Sequence, residues 1–168
     1  MRVPYTNFKT FVDDEWKEID TEEIFSDKKV IVFGVTGAFT PESDKQLQGY
    51  ENAYNDLKKS GIDEVFCTSV NDTFVMNAWF NSLGIKQVKP LADGEGVFAQ
   101  GMGMLVNKPK QGFGMRSWRY SGIIENCDLK HVIEEQGKNN SSDDNDKVAR
   151  SGVETMLKLF MRSSQKRY

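Results

Sequence analysis

The sequence predicts an α/β sandwich, a central mixed β-sheet flanked by helices, and three observations carry that prediction. Two short apolar runs, at 29–35 and 64–70, are rich in β-branched residues, as strands buried on both faces are. Each is followed by a segment whose apolar residues recur at helical spacing, the alternation of an α/β fold. Two further strand-like segments joined by a short turn then lead, through a polar stretch, to a closing amphipathic helix.

Taken in order, Phe8 to Val12 and Trp16 to Ile19 flank Asp13-Asp14-Glu15 and read as a hairpin, with a turn of helix near Thr21 to Phe25. Lys29 to Val35 is the first buried strand. After a loop at 36–42, a helix is expected from Ser43 to about Lys59. Ser43-Asp44-Lys45-Gln46 reads as its capping box, and Leu47, Tyr50, Tyr54 and Leu57 form its apolar stripe. Ser60-Gly61 stops it. Glu64 to Val70 is the second buried strand, and Thr73 to Leu83 a helix closed by Gly84. Val88 to Ala92 reads as an edge strand because Pro90 removes a ladder donor. Residues 93–96 form a turn. Strands follow at Met102 to Val106 and Arg116 to Glu125, then a turn at Asn126-Cys127-Asp128 into Leu129 to Glu134. Residues 136–150 are polar and read as a mobile loop. Ser151-Gly152-Val153-Glu154 is a second capping box, opening a helix whose Val153, Met156, Leu157 and Phe160 face the core. This order fits a thioredoxin-like sandwich, with one domain spanning 1–168.

Composition narrows the function. With 38% hydrophobic and 28% charged residues in 168, the chain is an ordinary globular protein, long enough to bury a core without disulfides or metal. A formal net charge of −3 argues against nucleic acid or an anionic membrane as main partner. No apolar run approaches a membrane span, and the N-terminus lacks the apolar core of a secretory signal, so a cytoplasmic protein is expected. Two cysteines, Cys67 and Cys127, suit a reducing compartment. One histidine and no CxxC make a metal site unlike any common pattern. Gly94, Gly96, Gly101 and Gly103 match neither a dinucleotide fingerprint nor a phosphate loop, so no cofactor is expected.

The chemistry concentrates at residues 36–43. A loop that leaves a buried strand and enters a capped helix presents residues 42–43 to the positive end of the helix dipole, which favours an anion there. Thr40 offers a hydroxyl donor. Met115 to Tyr120 brings two guanidinium groups on an expected strand. Arg116 and Arg119, three apart, should face opposite sides of it, so only one addresses the site, and spacing does not say which.

Here a resemblance becomes specific. Gly37-Ala38-Phe39-Thr40-Pro41, Ser69-Val70-Asn71-Asp72, Phe74 to Trp79, Gly101 to Val106 and Gly112 to Tyr120 resemble, in that order, segments of the atypical type-5 peroxiredoxins, including bacterial glutathione-linked forms. The likeness covers nearly the whole chain. It implies the peroxiredoxin fold and reduction of hydrogen peroxide and small organic hydroperoxides at a cysteine thiolate. It also implies that Thr40 and Arg119 support the thiolate, that the protein is a homodimer, and that glutathione with glutaredoxin, or thioredoxin, is the reductant.

The departures lie in the site. There is no cysteine between Met1 and Phe66. Thr36 stands where the family has proline, losing a fixed φ and a shield over the nucleophile. Between Pro41 and Gly49 the chain is one residue shorter than its relatives. An ungapped reading from Pro41 puts Ser43 in the cysteine position. A gapped reading matches Ser43 to the serine after the cysteine, with the cysteine missing after Glu42; it aligns Leu47 and Gly49-Tyr50 better and is preferred. Serine needs an adjacent base to act as nucleophile, and His131, the only histidine, is expected on a distant strand.

Three expectations follow. The chain as written is an inactive homologue that binds or holds clients in a chaperone-like role. Alternatively it is an active peroxidase whose modified cysteine is missing from the written sequence. Thirdly, Cys127, expected in an exposed turn, sustains weak residual redox chemistry, while Cys67 is a buried core residue.

Overall fold

A computed structural model describes residues 1–140 and 147–165, with side chains described to residue 161. A five-stranded mixed sheet has the order β5-β4-β3-β8-β9. β3 (Lys29–Gly34), β4 (Glu64–Ser69) and β5 (Lys89–Ala92) run parallel, while β8 (Tyr120–Glu125) and β9 (Asp128–Glu134) pair antiparallel on the other side of β3. β3 is central because both of its faces are apolar. Ile31 and Phe33 pack one way, with Val65, Cys67 and Ile123, while Val30 and Val32 pack the other, with Phe66 and Ile124. Pro90 lies on an edge strand, where its missing N–H costs no ladder bond.

The first face is covered by α2 (Pro41–Asn52), α3 (Tyr54–Lys59), α4 (Thr73–Ser82) and α6 (Val153–Gln165), which contribute Leu47, Tyr50, Leu57, Trp79, Met156 and Phe160. The second is covered by α1 (Thr21–Phe25), α5 (Val97–Gly101) and two separate hairpins. These are β1 (Asn7–Val12) with β2 (Glu15–Asp20), and β6 (Leu105–Lys108) with β7 (Gly114–Ser117). The expected mixed sheet between helical layers is therefore the observed architecture.

Several local expectations change. The helix after the loop begins at Pro41, not Ser43, with Thr40 as its N-cap residue and proline in the first turn, where its missing N–H is harmless. Ser43 lies inside that turn and caps nothing. The helix also breaks at Ala53, directly after Asn52, a poor helix former, and resumes at Tyr54. α5 carries no periodic signal because it is five residues long; Asp93 builds it by accepting N–H bonds from Phe98 (3.0 Å) and Ala99 (2.8 Å). The strand expected at Met102 begins at Leu105.

The most consequential change is at Arg116 to Glu125, which is two strands in two sheets. β7 ends at Ser117, Trp118 N–H bonds back to the Met104 carbonyl (2.7 Å), and β8 starts at Tyr120. The chain exchanges one partner strand for another across Trp118-Arg119. The turn at 126–127 is the expected tight hairpin, with both residues at positive φ (47° and 65°). Cys127 there is buried, 4% exposed, packed with Val3, Phe25 and Trp118, and not the exposed thiol expected.

Of the segment expected to be a mobile loop, residues 141–146 lie outside the described residues. Its flanks are fastened: Asn107 N–H bonds to Asn140, Val148 N–H to Glu42, and the N–H groups of Ala149 and Arg150 to Glu135. Ser151, expected to cap α6, instead gives its hydroxyl to Glu135.

Candidate active site

The site forms where β3 runs out. Val35 N–H makes a last bond to the Thr68 carbonyl (3.0 Å), and residues 36–40 turn away into α2. The loop is held by Ala38 N–H donating to Asn71 Oδ1 (3.1 Å). Phe39 adopts a left-handed conformation, φ 69°, which costs a non-glycine residue about 1 kcal/mol. A Cβ at Gly37 would lie 2.5 Å from Arg116 Nη1, so a larger residue there would displace the end of that side chain from the Thr36 carbonyl.

Ser43, fully buried in the first turn of α2, is the point on which donors converge. Thr40 Oγ1 lies 2.6 Å from Ser43 Oγ and 2.8 Å from the Gly37 carbonyl, and Arg119 Nη2 donates to Ser43 Oγ at 3.1 Å. Thr40 therefore turns its hydroxyl into the site instead of capping the helix. Arg119 Nη2 also reaches Thr36 Oγ1 (3.3 Å), and Arg116 Nη1 donates to the Thr36 carbonyl (3.1 Å).

Arg119 thus donates to Ser43 itself, while Arg116 lies on the same side and holds the loop through the Thr36 carbonyl. The opposite-face argument assumed a continuous strand, and the switch at Trp118-Arg119 removes that premise. Partial burial lowers the pKa of Arg116. Thr36 is itself buried and touches both guanidinium groups, Arg116 through its main-chain carbonyl and Arg119 through its hydroxyl, and only the second acceptor depends on the residue being threonine.

Pro41 starts the helix. Glu42 points away, to Val148 N–H (2.9 Å) and Lys45 (3.4 Å); the Val148 bond is the main reason that its pKa is lowered, with burial opposing. His131 is exposed on β9, so no imidazole serves Ser43. Cys67 lies in the β4 core, where burial raises its pKa well above the ordinary value and the nearby Arg119 charge only partly offsets that.

Sequence reasoning missed Gln46, Glu135 and Ser151. Gln46 Oε1 accepts from Arg119 Nη1 (2.9 Å), and its amide nitrogen reaches the Ser151 carbonyl (3.0 Å) and hydroxyl (3.2 Å). A buried-facing glutamine beside Leu47 was a legible hint, but it was absorbed into the capping-box reading.

A thioredoxin-like α/β sandwich, with Thr40 and Arg119 gathered at a helix N-terminus after the central strand, is the arrangement that the resemblance to thiol-dependent peroxide-reducing proteins implied. The comparisons agree. The Redoxin family model matches residues 2–153. The chain is 47% identical over 146 residues to a peroxiredoxin of Rhizobium etli, covering 81% of this chain and 82% of that one. It is 43% identical over 160 residues to the hybrid peroxiredoxin hyPrx5 of Haemophilus influenzae, covering 95% of this chain and 64% of that protein. Among solved structures, the Plasmodium falciparum antioxidant protein, a 1-Cys peroxiredoxin, matches with TM-score 0.89 and 32% identity over 97% of both chains. Reduced Prx3 of Vibrio vulnificus, crystallised with hydrogen peroxide, matches with TM-score 0.85 and 30% identity over 95% of this chain and 96% of that one. The chain belongs to the peroxiredoxin family, and the relatives are consistent with its type-5 group.

Proposed function

We propose that this chain is a single-domain peroxiredoxin whose site is assembled but chemically silent, with Ser43 standing where the family's thiolate would be. The observation that carries this is the convergence of Thr40 Oγ1 and Arg119 Nη2 on Ser43 Oγ. That geometry supports the ungapped reading over the gapped one. Thr40 and Arg119 are the supporting residues of the site, and Thr36 and Arg116 hold its loop.

In an active site of this kind, a thiolate attacks one peroxide oxygen, an S–O bond forms as the O–O bond breaks, and the sulfur becomes a sulfenic acid. The departing alkoxide or hydroxide takes a proton, and an external thiol then reduces the sulfenic acid. A serine hydroxyl without a neighbouring base cannot begin this sequence. Robust hydroperoxide consumption above buffer, with either glutathione–glutaredoxin or thioredoxin as reductant, would sink the proposal.

The one-residue deficit at 41–49 favours a second reading, an active peroxidase with a cysteine after Glu42 missing from the written sequence. Intact mass with a tandem spectrum across residues 40–45 separates the two. A mass one cysteine heavier supports the active peroxidase; a matching mass supports the silent site and a binding or chaperone-like role. In either case the reading includes a cytoplasmic homodimer. Exposed Phe39, Phe74 and Met115, close to the site loop, support an apolar contact with a second copy, which light scattering tests.

A further inference from the structure

A buried chain of hydrogen bonds leads from Glu135, at the end of β9, to the site. Glu135, Ser151, Gln46, Arg119 and Ser43 are each no more than 2% exposed. The Glu135 carboxylate is surrounded by donors. It accepts the N–H groups of Ala149 (3.2 Å), Arg150 (2.9 Å) and Ser151 (2.7 Å), and the Ser151 hydroxyl at 2.6 Å.

The direction of each bond is fixed from both ends of the chain, by the carboxylate at one and the guanidinium at the other. Because an ionised carboxylate only accepts, Ser151 must spend its single hydroxyl proton on Glu135. Ser151 then offers Gln46 only acceptors, its hydroxyl lone pairs at 3.2 Å and its carbonyl at 3.0 Å. Gln46 must therefore turn its NH2 toward Ser151 and its carbonyl oxygen toward Arg119 Nη1, at 2.9 Å. The guanidinium is planar, so fixing Nη1 aims Nη2 at Thr36 Oγ1 and Ser43 Oγ. The reverse amide orientation would set NH2 against guanidinium N–H, donor against donor.

We infer that Glu135 is a positioning residue: acting through Ser151 and Gln46, its carboxylate fixes the orientation of Arg119 at the site. The inference rests on Ser43 being the centre of the site. A merely structural role is the alternative, since Glu135 also fastens the entry to α6. Glu51 provides the control: its carboxylate accepts the N–H groups of Lys86, Gln87 and Val88 in the same manner, away from Arg119.

The test is the side-chain NMR signal of Arg119 in the otherwise unaltered chain, assigned by its loss in Arg119→Lys. Glu135→Gln and Ser151→Ala should each raise the solvent exchange of the Arg119 guanidinium protons, by less than the about tenfold expected when a direct partner is removed, as in Gln46→Ala, and shift its Nε resonance. Glu51→Gln should do neither. Ser151→Ala keeps the backbone bonds to Glu135, so it remains informative if Glu135→Gln fails to fold. An unchanged Arg119 signal in Ser151→Ala overturns the inference, as does an equal response in Glu51→Gln.

A second measurement separates this inference from the reading of Ser43. In a Ser43→Cys background, adding Glu135→Gln should slow alkylation of the new thiol several-fold below neutral pH. If the new thiol has ordinary reactivity while the Arg119 signal responds as expected, the positioning role stands and the reading of Ser43 fails.

Discussion

Replacing Ser43 by cysteine should create a thiol that ionises below the ordinary value, and the structure allows the shift to be worked out. Two neighbours and the helix favour the anion. The Arg119 guanidinium, 3.1 Å from the present oxygen, is worth about 4 kcal/mol at the effective dielectric of a partly screened site. A hydroxyl bond from Thr40, at 2.6 Å, adds roughly 1.5–3 kcal/mol once its acceptor is charged. The N-terminus of α2 adds about 0.5–1 kcal/mol. Against these stands burial, which can raise a fully buried group by about 3–5 pKa units, or roughly 4–7 kcal/mol.

The balance favours the thiolate by about 1–2 kcal/mol, placing its midpoint roughly one unit below the free-thiol value of about 8.5. Cys67 supplies the contrast, since burial dominates there and the Arg119 charge only partly offsets it, so its pKa is raised. The assay is ultraviolet thiolate absorbance against pH, with the unmutated protein subtracted. A midpoint at or above the free-thiol value would refute the claim that residue 43 is a built anion site. Peroxide consumption should return in the same variant.

Four further outcomes are expected. Neither Cys67 nor Cys127 should react with an aromatic disulfide reagent in the native protein, and both should do so in denaturant, because both are buried; fast native labelling of Cys127 would revive a redox role for it. Tyr50→Phe should destabilise by about 1–2 kcal/mol, since the hydroxyl bonds Ser121 and the Ser151 carbonyl. Tyr120→Phe should be neutral or stabilising in the same denaturant titration, because that buried hydroxyl has no partner among the described residues. Glu42, whose pKa is lowered mainly by the Val148 N–H, stabilises the fold above the ordinary value of 4.5, and that contribution is lost as pH falls through the folded value. The stability gap between Glu42→Gln and the parent should accordingly be widest near neutral pH and close on acidification. A gap that widens in acid would reverse the sign.

Much of the fold was legible because its signals are local. Lys29 to Val35 and Glu64 to Val70 read as buried strands from their own composition, and Leu47, Tyr50, Tyr54 and Leu57 announced an apolar face whichever residue began the helix. Asn126-Cys127-Asp128 read as a turn because Asn and Asp are turn residues, and Asn126 does adopt the left-handed conformation that asparagine tolerates. The failures are equally specific. Ser43 looked like an N-cap because a serine three residues before glutamine is the capping signature; only the observed start at Pro41 shows that it lies inside the turn. Cys127 read as exposed because turns usually are, and the packing of Val3 and Trp118 over it cannot be seen locally.

The sequence by itself determined the two central strands, the apolar faces of the longer helices, a loop after Val35 and the absence of a cysteine between Met1 and Phe66, because each follows from short-range pattern or identity. Tertiary structure alone decided how the site is assembled. Arg119 meets Gln46 across 73 residues, and Gln46 meets Ser151 across 105. Both arginines face Thr36 because the chain leaves one sheet and joins another at Trp118-Arg119. That switch is set by which strands lie alongside, Met104 before it and Gly34 after it, and no local periodicity encodes a partner.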